Sequence, residues 1–146
     1  MTDTEYASDG ERICREWHER ARSRDVEALL ALYADDATLE SPLVPAIMGR
    51  ESGVLEGREE ILGFLAEGTN RRPNDLVRWH REPDRFFFDG RTLVWEYPRE
   101  TPDGDQIEIL EVMELRDGLI ARHRIYWGWF GIGQLVRSAV AKQAGA

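Results

Sequence analysis

The C-terminal half of this chain holds four extended segments separated by turn signals, with no helical pattern between them. They run from about Leu76 to Phe88, Thr92 to Glu100, Gln106 to Leu115 and Leu119 to Trp129. The breaks are Asp89-Gly90, Pro102-Asp103-Gly104 and Asp117-Gly118. Such pairs supply the left-handed residues that hairpin loops need, so the run predicts an antiparallel meander. Its apolar face must be covered, and only the region before it can do so.

That region reads as helices. Ile13, Trp17 and Ala21 recur every four residues between Asp9 and Arg22, the mark of an amphipathic helix. Asp25 caps a second helix with Val26, Leu29, Leu30, Leu32 and Tyr33 inward; Asp35-Asp36 ends it. Ala37 to Ser41 reads as a short strand stopped by Pro42, and Arg58 to Gly68 as a third helix. Pro42 to Gly57 suits either an ordered loop over an opening or an irregular connection. A closing helix is expected over Gly131 to Lys142. The fold class is α+β: a curved antiparallel sheet wrapped around three N-terminal helices. Curling without closure makes a cone-shaped barrel with an internal apolar pocket. Residues 1–8 are expected to fray, and 9–146 to form one domain.

At 146 residues the chain can bury a real core. Its net charge of −9 argues against nucleic acid, which demands a basic patch, and against an anionic membrane surface. No apolar run is long enough to span a bilayer, and MTDTEYASDGER lacks the apolar stretch of a signal peptide. The single cysteine, Cys14, fits a reducing cytoplasm and a helix-packing role. His18, His80 and His123 lie far apart without ligand spacing, so no metal is expected.

The last hairpin holds the candidate chemistry. A two-residue Asp117-Gly118 loop would pair Arg116 with Leu119 and mix Arg122 and Arg124 into the apolar face. A three-residue loop, Arg116-Asp117-Gly118, pairs Leu115 with Leu119 and Glu111 with His123. It gathers Ile107, Ile109, Met113, Leu115, Leu119, Ala121, Ile125 and Trp127 on one side with that pair. The other side then holds Glu108, Leu110, Val112, Glu114, Ile120, Arg122, Arg124 and Tyr126. We therefore expect the longer loop. An acid and an imidazole facing each other on an apolar surface could share a proton. The blander readings are a carboxylate paired with an arginine at a dimer edge and a satisfied core histidine. A three-residue loop at Pro102-Asp103-Gly104 places Leu93, Trp95 and Tyr97 inward and Glu96 outward.

SRDVEALLALYADDATLESP (Ser23 to Pro42), GREEILGFL (Gly57 to Leu65) and LRDGLIARHRIYWGW (Leu115 to Trp129) resemble the nuclear transport factor 2-like superfamily. Within it the likeness is to SnoaL-like and ketosteroid-isomerase-like proteins, over roughly residues 10 to 135. The superfamily also holds polyketide cyclases, dehydratases, epoxide hydrolases and non-catalytic binding domains, so fold does not fix activity. The isomerases carry an aspartate base just before the proline of the segment resembling ADDATLESP; here Ser41 stands there. Their oxyanion-donor tyrosine corresponds to Trp17, an indole that donates a hydrogen bond but no proton, and their carboxylic-acid donor to Glu111. Alignment to those enzymes would turn Glu96 inward instead of Tyr97. The epoxide-hydrolase pattern puts its last-strand aspartate on Ile125, and the acid that often follows "YW" is replaced by Gly128.

Together these readings imply a cofactor-independent acid–base isomerase, cyclase or dehydratase acting on an apolar, polyketide- or steroid-like molecule. Glu111 and His123 would be catalytic. Trp17, Ser41, Trp95, Tyr97, Ile109, Met113, Ile125 and Trp127 would contact substrate. A non-catalytic ligand-binding or accessory domain is the alternative, an epoxide hydrolase the second. A homodimer through the outer sheet face is expected, because that face mixes Leu110, Val112, Ile120 and Tyr126 with charges.

Overall fold

Ser8 starts the first helix by accepting a hydrogen bond from the Glu11 amide, and Glu11 in turn accepts from the amide of Ala7. Together they satisfy N–H groups that a helix start leaves open. Helix α1 (Asp9–Arg22) buries Ile13, Cys14, Trp17 and Ala21, the face that its four-residue period predicts. Gly10 lets it approach closely: a Cβ there would lie 2.3 Å from the ring of Phe88. The computed structural model describes residues 5–71, 78–79, 85–100 and 106–145; at 71, 78–79, 97–100, 106–107, 130, 134, 138 and 142 it describes the backbone alone.

Helix α2 (Val26–Leu30), capped by Asp25, is shorter than the sequence suggests. Leu32 and Tyr33 are not helical, and strand β1 runs from Tyr33 to Glu40. Tertiary pairing overrides the local helical pattern here, because the Leu32 carbonyl accepts the amide of Ile120 at 2.8 Å. The Pro42 to Gly57 stretch is an ordered connection containing helix α3 (Leu43–Met48) and strand β2 (Val54–Glu56). Helix α4 (Arg58–Arg71) follows, buried through Ile61 and Phe64. Among the described residues four helices, not three, thus precede the meander.

The remaining strands are β3 (Arg78–Trp79), β4 (Phe87–Phe88), β5 (Thr92–Glu100), β6 (Gln106–Arg116) and β7 (Leu119–Trp127). The described strands form one sheet in the order β2-β1-β7-β6-β5-β3, with β4 also on β5. The sheet is mixed, since β1 lies parallel to β7; every other pair is antiparallel. A parallel pair needs a long connection, and everything from α3 to β6 provides it. Helix α5 (Trp129–Ala144) closes the described chain.

The last turn differs from the expected one. Asp117 (φ 53°) and Gly118 (φ 75°) are both left-handed and form a two-residue loop, with Arg116 opposite Leu119. The extra residue sits one step further on: Leu115 pairs with Ile120 and Glu114 with Arg122, leaving Ala121 as a bulge. A bulge reverses facing, as a one-residue slip would. Beyond it Met113 lies opposite His123 and Glu111 opposite Ile125, so Glu111 and His123 are diagonal neighbours rather than partners. Before it Ile120, expected outside, is wholly buried. The inner face past the bulge is nonetheless the expected one, with Ile109, Glu111, Met113 and His123 all buried.

On β5, Leu93 opposite Met113 and Trp95 opposite Glu111 match the expected register, and Glu96 is exposed. Glu96 therefore does not turn inward as direct alignment would have it. The Pro102-Asp103-Gly104 loop and His80 lie outside the described residues. Ile13, Tyr33, Leu39, Leu55, Ile61, Leu93, Met113 and Ile120 form the fully enclosed centre, where helices α1 and α4 meet the sheet.

Candidate active site

Each buried polar residue here is held by a rigid element. Glu111 comes from the middle of β6 and His123 from β7 just after the Ala121 bulge. They are 2% and 1% exposed, and His123 Nε2 lies 2.5 Å from Glu111 Oε2. On the other side of the imidazole, the Tyr33 hydroxyl lies 2.8 Å from Nδ1. Tyr33 is itself 1% exposed, so the three side chains form one buried polar chain in an apolar core. A carboxylate taken this far from water requires such partners, because an uncompensated buried charge costs several kcal/mol (~3–5 on losing one member of a pair).

Glu111 and His123 open on a cavity of about 100 Å³ whose other walls include Trp17, Leu39, Phe64, Ile109, Ile125 and Trp127. The wall is mostly apolar, which strengthens any electrostatic interaction inside it. Trp17 stands edge-on to His123, with ring centroids 6.3 Å apart and planes at 88°. Its Nε1 is buried with no hydrogen-bond partner among the described residues, as is that of Trp95. A native core rarely leaves a donor unmatched, so each such group calls for an explanation.

Of the expected contact residues, Trp17, Ser41, Ile109, Ile125 and Trp127 line the cavity. Trp95 and Met113 do not. They are buried behind the wall, with Trp95 packed on Trp17 at 5.4 Å and on His18 at 4.9 Å. The backbone of Tyr97 pairs with Ile109, and its side chain lies outside the described residues. Ser41 is 2% exposed, and its hydroxyl accepts the amide of Leu43 at the start of α3. That bond ties the loop to the cavity rim and makes Ser41 an anchor. Among the described residues no three His, Cys, Asp or Glu side chains gather to hold a metal ion. No described helix is long and apolar enough to cross a membrane.

A profile of the SnoaL-like domain matches residues 14–123, most of the chain and both members of the acid–imidazole pair. The chain belongs to the SnoaL-like domain family.

Solved structures with the same fold agree. A SnoaL-like protein of unknown function from Burkholderia thailandensis E264 is 22% identical with a TM-score of 0.66, over 85% of this chain and 98% of that one. A provisionally assigned ketosteroid isomerase from Kribbella flavida DSM 17836 is 21% identical with a TM-score of 0.63, over 83% of this chain and 78% of that one. TerC, co-crystallised with polyporic acid, is 22% identical with a TM-score of 0.66, over 89% of this chain and 99% of that one. Identities this low establish the fold alone. A comparison with curated proteins finds no match.

Within this SnoaL-like domain, Tyr33 is the site residue that sequence reasoning misses. The local pattern places it on the inner side of α2, whereas its place at the head of β1 follows from two irregularities. Tyr33 pairs with Ile120 while Thr38 pairs with Arg122, so five steps along β1 match two along β7. No periodicity survives such a shift, and nothing in YADDATLE announces it.

Proposed function

We propose that this SnoaL-like protein is a cofactor-independent acid–base enzyme acting on an apolar small molecule that carries a carbonyl group. One observation supports the reading above others: a buried carboxyl–imidazole pair opens on an apolar cavity beside the indole N–H of Trp17, which has no partner among the described residues. Glu111 would take a proton from the carbon next to the carbonyl. The C–H electron pair becomes the double bond of an enolate, whose oxygen accepts the Trp17 N–H. His123 donates its Nε2–H to the carboxylate and holds it in place. Return of the proton to a different carbon is an isomerisation. Attack of the enolate carbon on a second carbonyl, whose oxygen takes the proton back from Glu111, is a cyclisation; loss of a β-hydroxyl, protonated by Glu111 as it leaves as water, is a dehydration.

The cavity bounds what enters. At about 100 Å³ it is smaller than the roughly 150 Å³ engineered cavity that holds benzene. The substrate therefore inserts a carbonyl-bearing end while the rest of it lies in the mouth. The polyporic acid in the TerC crystals agrees with an organic ligand on this fold.

The test is turnover. In Glu111→Gln, with stability checked separately, kcat/KM should fall about a hundred- to ten-thousandfold if Glu111 is the base. Turnover of an identified substrate that survives both Glu111→Gln and His123→Ala within a few-fold would remove both roles. A second reading, a non-catalytic binding domain, is favoured by Ser41, whose hydroxyl is engaged with Leu43 where the isomerases have their base. Thermal stabilisation by a ligand that is never converted would select it. We further infer that the protein pairs with a second copy through the outer sheet face, where Tyr126 is 51% exposed. Sedimentation of Tyr126→Glu as monomer against a wild-type dimer would support this, and a monomeric wild type would end it.

A further inference from the structure

We infer that Tyr33 is a positioning residue that fixes the proton order of the buried chain, keeping Glu111 as the proton acceptor of the cavity. The catalytic consequence rests on the function proposed above; the proton order itself does not.

Two arrangements of the same heavy atoms differ in the direction of the Tyr33 bond. In one, the Tyr33 hydroxyl donates to Nδ1 and Nε2–H donates to a Glu111 carboxylate. In the other, Nδ1–H donates to the Tyr33 oxygen and a protonated Glu111 donates to Nε2. The second holds one proton more, and moving its carboxyl proton to Nε2 gives an imidazolium facing a carboxylate; only the first leaves Glu111 a free acceptor with Tyr33 as the donor to Nδ1. A phenol is a ready donor at neutral pH, an imidazole nitrogen is the stronger acceptor of the two, and a carboxylate can only accept. On the Tyr33–His123 and His123–Glu111 contacts these donor and acceptor preferences favour the first order. With its Nδ1 lone pair engaged by the Tyr33 hydroxyl, His123 keeps its Nε2–H for Glu111.

Tyr33 does this from behind. Glu111 and His123 line the cavity, and Tyr33 is not among the described lining residues; it reaches the pair through the imidazole. Its placement is also built rather than incidental. The Tyr33–Ile120 pairing and the Leu32–Ile120 backbone bond pin the head of β1 where both strands change register. Without the Ala121 bulge and its counterpart in β1, the inner-face register that brings Tyr33 and His123 together would be lost.

The experiment is 15N NMR of the full chain labelled at histidine, with the His123 resonances assigned by their loss in His123→Gln. In the wild type Nε2 should carry the proton, and Nδ1 should resonate as an unprotonated nitrogen drawn upfield by its hydrogen bond. In Tyr33→Phe, Nδ1 should move downfield towards the free unprotonated position, or the two tautomers should mix. Placing 3-fluorotyrosine at position 33 alone, a stronger donor of nearly the same shape, should move Nδ1 further upfield. This arm keeps the test open should Tyr33→Phe fold poorly. A protonated Nδ1 in the wild type, or an Nδ1 shift that ignores both changes, would overturn the inference. No substrate is needed, so a negative result here is distinct from a failure of the activity assay.

Discussion

The two faces of the β6–β7 hairpin use the same chemistry, a carboxylate beside nitrogen bases, to opposite ends. On the inner face Glu111 meets one imidazole at 2.5 Å, with both side chains 2% exposed or less. On the outer face Glu114 is surrounded by three guanidinium groups, those of Arg91, Arg122 and Arg124, at 3.4–3.8 Å. These arginines are 22–77% exposed, and water and salt screen what they do. A charge that water also solvates gains little from its partner, whereas a charge that water cannot reach depends on it. The hairpin thus places a high-stakes pair and a low-stakes one three residues apart on one strand.

The comparison can be broken in steps, from the largest effect down. Glu111→Gln should abolish most turnover, as set out above, while Glu114→Gln leaves kcat/KM within about two-fold; both are read on the same substrate. Next, His123→Ala removes the imidazole from the buried Glu111 carboxyl and should cost about 3–5 kcal/mol, measured as a loss in the urea midpoint at constant m. Glu111→Gln/His123→Ala together should cost less than the sum of the two, because the pair is coupled. Arg124→Ala on the outer face should cost about 0–1 kcal/mol, shrinking further in high salt. An Arg124→Ala loss as large as that of His123→Ala would erase the distinction between the faces.

The smallest effect comes from exposed carboxylates tied to backbone amides. The Ala7 amide, then Arg15, holds the Glu11 carboxyl below its usual range; the Glu56 amide, then Arg50, does so for Glu60; and the Thr92 and Arg91 amides do so for Asp89. A lowered folded value means stability that is present above the ordinary carboxylate range and lost as pH falls through the lowered value. Denaturation midpoints should therefore decline below about pH 4.5, the ordinary glutamate value. Glu11→Gln should flatten that decline slightly. An unchanged slope would show the amide bonds to be absent in solution.

Much of this architecture was legible in the residues. The Asp-Gly breaks located the hairpins, the four-residue period of Ile13, Trp17 and Ala21 located α1, and the alternation along β5 and β6 chose the buried face. What escaped was whatever breaks a period. The Asp117-Gly118 turn closes in two residues because Asp117 tolerates a left-handed backbone, and Ala121 absorbs the residue displaced from the loop. Two shifts cancelled: the face assigned to Glu111 and His123 was right, while their direct pairing was not. Ile120, on the near side of the bulge, lost by the same slip. Tyr33 was hidden by local helical patterning that a single long-range strand pairing overrode. The parallel contact of β1 with β7 has no local signal, since no residue spacing records which strand a distant strand will meet.

The most direct measurement is hydrogen–deuterium exchange at the carbon next to the carbonyl, followed by NMR in heavy water over a panel of single-ring enolisable ketones. The wild type should exchange at least one of them faster than buffer, and Glu111→Gln, shown folded by its melting curve, should lose about a hundredfold or more of that rate. Equal rates in the two proteins, or ketones that bind the wild type and never exchange, would contradict a catalytic Glu111 and leave a binding pocket in its place.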